Sequence, residues 1–137
     1  MSERKYLPSL GDLLDRLAID QIKEVLMPEH REQYAAEIKD ICHDIEAMLS
    51  VEWKDGGIAI GADFLRAVVV LAQFNLHIWQ NESKCRNGEA GSNLALSHSL
   101  NGRRIEAKNI INDVAGGPQD RKVDCLAAEF QDWQVSW

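Results

Sequence analysis

The stretch ADFLRAVVVLAQFNLHIWQNESKCR, residues 62–86, decides the fold of this chain. Its Val68-Val69-Val70 run has the β-branched composition of a buried strand. Yet no Gly or Pro occurs until Asn87-Gly88, and an uninterrupted run of this length belongs to a helix. Apolar residues from Phe64 to Trp79 make it the core candidate.

Upstream, residues 51–61 hold Asp55-Gly56-Gly57 and Gly61 around Ile58-Ala59-Ile60, a loop with one strand-like piece that cannot found a sheet alone. Before it, Tyr34, Ile38, Ile41, Ile45, Met48 and Leu49 recur at helical steps, which predicts a helix over 28–50 opened by Pro28. Ser9-Leu10-Gly11-Asp12 reads as an N-cap with an acid three residues on. The leucines and isoleucines after it predict a helix over 9–26 that Pro28 closes.

Downstream, residues 87–93 read as a turn. Leu96, Leu100, Ala107, Ile111 and Val114 then mark a helix over 93–115, ended by Gly116-Gly117-Pro118. Leu126, Phe130, Trp133 and Trp137, at steps of four, three and four, suggest a short helix docking on the body, with a terminal strand from Trp133 as the alternative. Nothing repeats, and no stretch alternates with period two. The expected fold is all-α: one domain over 1–137, an antiparallel bundle of about four helices plus a short C-terminal helix.

Composition narrows the function. The chain has 137 residues, 45% hydrophobic and 27% charged, with a net charge of −7. An acidic balance gives no general grip on phosphate backbones or anionic lipid, so neither nucleic acid nor membrane is expected as partner. No apolar run nears the length of a bilayer span, and Met-Ser-Glu-Arg-Lys lacks a signal's hydrophobic region, which points to a cytoplasmic protein. Three scattered cysteines and four histidines without HxxxH or HExxH spacing offer neither a disulfide framework nor a metal site, and no cofactor motif is present. Glu37, Asp40, Asp44 and Glu46 do not form the paired ExxE blocks that a magnesium-dependent helical pyrophosphohydrolase needs.

The informative residues are polar ones on apolar faces. At 100° per residue, Asn75, Trp79, Glu82 and Arg86 fall within about 60° of one another, continuing the line of Val68, Leu71 and Ala72. Asn75, Glu82 and Arg86 are therefore expected to point inward. Asn101, Arg104, Lys108 and Asn112 share a face bordering the Leu100-Ala107-Ile111 stripe, and Asp15 and Lys23 lie among the apolar residues of the first helix. Buried charges must pair or meet a ligand. One reading is an interhelical network, Glu82 with Arg104 or Lys108 and Asp15 with Arg86, that fixes helix register. The other is a pocket in which Arg86, Arg104 and Lys108 take a phosphate or carboxylate while Asn75 and Asn101 orient it and Asp15 or Glu82 serves as base.

Three blocks carry a resemblance. Ser9-Leu10-Gly11-Asp12-Leu13-Leu14-Asp15-Arg16-Leu17-Ala18-Ile19 with Lys23, Asn75-xxx-Trp79-xx-Glu82-xxx-Arg86, and Asn101-x-Arg103-Arg104-xxx-Lys108-xxx-Asn112 are similar to blocks of a small family of bacterial proteins of unknown function, often encoded beside lipopolysaccharide and glycosyltransferase genes. The resemblance implies an all-α fold and a loose link to surface-polysaccharide synthesis, and it carries no known activity or cofactor. The 51–61 loop, the 87–93 turn and the tail from about residue 118 depart from the family pattern.

The sequence thus leads to an accessory or protein-interaction module, a homodimer through helical faces or the aromatic tail. The rival is a binding protein or enzyme for an anionic small molecule, a phosphorylated sugar or nucleotide sugar.

Overall fold

A computed structural model of the chain describes residues 7–54, 60–88 and 94–115, with side chains over 7–50, 60–88, 96 and 98–115. Within them the chain forms α1 (Leu10–Leu26), a single 3-10 turn (Pro28–His30), α2 (Arg31–Lys54), α3 (Ala62–Arg86) and α4 (Leu94–Ala115). No strand occurs among the described residues. The expected short C-terminal helix and the strand-like piece at 58–60 fall on or overlap residues outside the described ones.

Each boundary has a local cause. Ser9 caps α1 through its hydroxyl, which accepts the Asp12 N–H at 3.1 Å, while an Asp12 carboxylate oxygen accepts the Ser9 N–H at 3.1 Å. This reciprocal capping box satisfies two donors that a helix start leaves open. Pro28 ends the helical run and opens the 3-10 turn, so α2 begins three residues later than the spacing predicts. It runs on to Lys54, since no helix breaker occurs before Asp55-Gly56-Gly57. α3 ends where Gly88 takes φ +67, a left-handed conformation that glycine enters without Cβ strain.

α1 is the hub and packs on the other three helices. Lys23 lies against Tyr34 and Asp20 against Glu37, pairs equidistant from the Pro28–Glu29 turn, so α1 and α2 are antiparallel. Along α4 the partners of α1 run backwards: Gly11 meets Asn112, Asp12 meets Lys108 and Asp15 meets Arg104. Along α3 they run forwards, from Leu10 beside Phe64, Ala67 and Leu71 to Asp15 beside Asn75. The result is an up-down-up-down bundle. Its core joins Leu10, Phe64, Ala67, Leu71, Ala107 and Ile111 between α1, α3 and α4. α2 contributes one buried apolar side chain among the described residues, Ile41.

Candidate functional site

The polar node sits where α1 crosses α3 and α4. Asp15, 8% exposed, accepts the Asn75 Nδ2–H on Oδ1 at 2.8 Å and the Arg104 Nη1–H on Oδ2 at 2.9 Å. One turn earlier Asp12 Oδ1 pairs with Lys108 Nζ at 2.9 Å, and Lys108 stands 4.0 Å from Asp15 Oδ2. Burial works to raise the Asp12 carboxyl, but the Lys108 ammonium and the Ser9 backbone outweigh it and hold it below its ordinary value of 3.8.

Gly11 shows how tightly the helices meet. Its N–H, one of the open donors of the first turn, donates to Asn112 Oδ1 at 2.8 Å. A Cβ at this position would stand 2.7 Å from that oxygen and 2.9 Å from the amide carbon and nitrogen. With the buried Asn112 amide in this position, a Cβ at residue 11 would force it to shift.

The structure brings together Asp15, Asn75, Arg104, Lys108 and Asn112 of the expected residues, and it adds Asp12 and Gly11. Asn101 is half-buried further toward the α4 N-terminus. Lys23 is half-buried too, its ammonium 5.5 Å from the Tyr34 ring centre in the last turn of α1. Glu82 and Arg86 do not join the node, because both are exposed. The buried line of α3 runs through Phe64, Ala67, Leu71 and Asn75 and then moves to Asn81, which lies about 120° round the helix from Asn75. That drift carries Glu82 and Arg86 past the edge of the interface. Arg86 instead sets its guanidinium 6.0 Å from the ring centre of half-buried Trp79. Asp15 pairs with Arg104 where the sequence suggested Arg86, and Lys108 takes Asp12 rather than Glu82.

This changes the electrostatics. Instead of surplus cations, the node holds Asp12 and Asp15 against Arg104 and Lys108, two charges of each sign. Both Asp15 oxygens are used, while the buried Arg104 Nε has no acceptor among the described residues. Beside the node a groove of about 600 Å³ opens between α1 and α2. Asp12, Asp15, Glu37, Asp40 and Asp44 line it with Arg16 as the opposing charge, so its sign is wrong for a phosphate. Among the described residues, no three His, Cys, Asp or Glu side chains are placed to hold a metal ion.

The sequence reading missed Asp20. It is 3% exposed, no donor among the described residues reaches its Oδ2, and it faces the Glu37 carboxyl across the α1–α2 hairpin. Burial raises its carboxyl above 3.8, and hydrogen bonding with Glu37 and that residue's charge add to the effect against Arg16 and Lys23. The signal was available, since Leu13, Leu17 and Asp20 follow steps of four and three along one helix face.

Compared with protein-family models, with curated proteins and with solved structures, the chain matches none. No helix among the described residues is long and apolar enough to cross a membrane.

Proposed function

We propose that this chain is a non-enzymatic interaction module of the cytoplasm that docks an amphipathic helix on α3. One observation carries the reading. Leu65, Val69 and Leu76 are 56%, 64% and 38% exposed and, with exposed Ala72, stand at steps of four, three and four. This is the seam spacing of a helix that packs against another. It lies on the side of α3 turned away from Phe64, Ala67 and Leu71, so α3 has an apolar face beyond the one its neighbours cover. The self-neutral node supports a structural part for the polar residues. The resemblance of the three sequence blocks would place the partner among proteins of surface-polysaccharide synthesis.

A photo-crosslinking residue at position 69 tests this in the cell of origin, with the same residue at exposed Glu32 as control. A discrete adduct with another chain from position 69, absent from the control and lost with Leu65→Glu, is expected. If position 69 yields no intermolecular adduct, the module reading fails.

A second reading keeps one observation, the buried Arg104 Nε without an acceptor among the described residues. On this reading the node opens to take a phosphorylated sugar or nucleotide sugar on Arg104 and Lys108. A ligand at 100 times its dissociation constant stabilises a fold by about 2.7 kcal/mol. A thermal-shift screen of such anions against wild type and Arg104→Ala therefore decides it. No shift with any anion removes the pocket.

A further inference from the structure

The groove between α1 and α2 holds charge that the fold does not use. Of the five acids that line it, Asp12 is taken by Lys108, and Asp15 by Asn75 and Arg104. Glu37 and Asp40 form no ion pair among the described residues, and Asp44 meets the ring of its exposed neighbour His43. Asp20 adds an independent observation. It follows Arg16 by one turn on the row of α1 that faces α2, and its carboxyl, 3% exposed, is turned to the groove-lining Glu37 at the end nearest the hairpin turn. Its Oδ2 is buried, and no donor among the described residues reaches it. A buried carboxylate set against a second carboxylate carries a cost that a cation lying along Glu37 relieves.

We propose that this groove binds a linear aliphatic triamine, its ammonium groups on Glu37, Asp40 and Asp44, with the one at Glu37 also compensating the Asp20 carboxyl. The dimensions select this cation. At 100° per residue the three α2 acids fall within about 60° of one another, and their steps of three and four residues rise about 4.5 and 6 Å along the helix. Ammonium groups joined by three and by four methylenes stand about 5 and 6 Å apart in an extended chain. Buried Leu13 and Ile41 line the same groove and give those methylenes an apolar surface. Glu37, Asp40, Asp44 and Asp20, set against Arg16 as the cation lining the groove, leave an excess of three negative charges. The volume, about 600 Å³, is that of a small-molecule site. A metal ion finds no set of three His, Cys, Asp or Glu donors among the described residues. Bound there, the triamine ties α2 to α1 across acids that otherwise repel. The site lies on other helices than the α3 strip, so either can fail without the other.

Calorimetric titration of the full chain with spermidine tests this. The expected result is one-to-one binding that magnesium chloride at equal ionic strength does not reproduce. Asp40→Asn with Asp44→Asn, both at exposed sites, should weaken it about tenfold. Glu32→Gln, which removes an exposed acid of α2 outside the groove, should leave it unchanged. Asp20→Asn should weaken it several-fold, and because an amide there relieves the buried carboxylate, that loss does not come from unfolding. Absence of binding, an equal response to magnesium, or a loss with Glu32→Gln as large as with the groove pair would each overturn the proposal, as would wild-type affinity in Asp20→Asn. Tighter binding of trilysine than of spermidine would overturn it too, by assigning the groove to a lysine-rich protein segment.

Discussion

Asp15 is a carboxylate held in a helix interface by one amide and one guanidinium, and its worth depends on what replaces it. Removing one partner of a buried ion pair strands the other charge, whereas replacing the whole set by apolar groups of similar shape is often neutral. Asp15→Ala should therefore destabilise the fold by about 3 kcal/mol, the low end of the range for buried pairs because the Arg104 side chain is 22% exposed. Asp15→Leu combined with Arg104→Met and Asn75→Leu should recover most of that loss. Urea denaturation of the single and triple variants measures it; a triple variant as unstable as the sum of its parts would contradict a structural node.

Asp20 gives the opposite sign. Its native value lies above 3.8, so between 3.8 and that raised value the folded protein keeps a proton that the unfolded chain has released. Stability falls as pH rises through this window and is flat above it. Asp12, held below 3.8, contributes stability that is present above 3.8 and lost as pH falls through its native value. Asp20→Asn supplies a permanent donor to Glu37 and removes the cost of an unpartnered buried oxygen, on the order of 1 kcal/mol. The variant should melt higher than wild type at pH 7, with the gain shrinking toward pH 4. A gain independent of pH would show that the Asp20 proton is not its source.

Between elements, the α1–α4 crossing is set by Gly11. Alanine there gains helix propensity of up to about 1 kcal/mol but drives a methyl into the Asn112 amide, and overpacking of this kind costs about 1–3 kcal/mol. Gly11→Ala should be destabilising on its own. In an Asn112→Ala background, where the clash and the hydrogen bond are both gone, it should be neutral or stabilising. Equal effects in the two backgrounds, measured as a double-mutant cycle, would remove the contact as the cause.

The same crossing explains what the sequence displays and what it hides. Breakers and caps act through neighbouring residues, so Ser9, Pro28, Asn87-Gly88 and the long apolar run at 62–86 place the helices to within a few residues. The identity of the buried polar line on α4 also follows from spacing. Pairing does not, since it depends on which helix faces which and at what height. The choice of Arg86 or Arg104 for Asp15 turns on the drift of the α3 interface from Asn75 to Asn81, a rotation that no local pattern encodes. The Asp20–Glu37 pair is an intermediate case, because symmetry about the hairpin turn predicts it once α1 and α2 are known to be antiparallel.

Across the whole molecule, burial is uneven. α1, α3 and α4 supply the buried residues of the cluster of Leu10, Phe64, Leu71, Ala107 and Ile111, while α2 adds half-buried Ile45, Met48 and Leu49 at its edge and packs chiefly on α1 across a groove lined by five acids and Arg16. Segments with few buried contacts open below the global unfolding free energy. α2 should therefore exchange its amide hydrogens through a partial opening that leaves α1, α3 and α4 protected. Because like charges face one another along that groove, added salt should screen them and raise the opening free energy of α2 more than that of the other three. Protonation of Asp20, whose carboxyl is raised by burial and by the facing Glu37, acts in the same direction, so α2 protection should also increase as pH falls toward 4. Native-state hydrogen exchange at two salt concentrations and two pH values reads each effect separately. If α2 amides exchange at the global free energy and ignore salt, then the acidic groove does not weaken α2, and all four helices unfold as one unit.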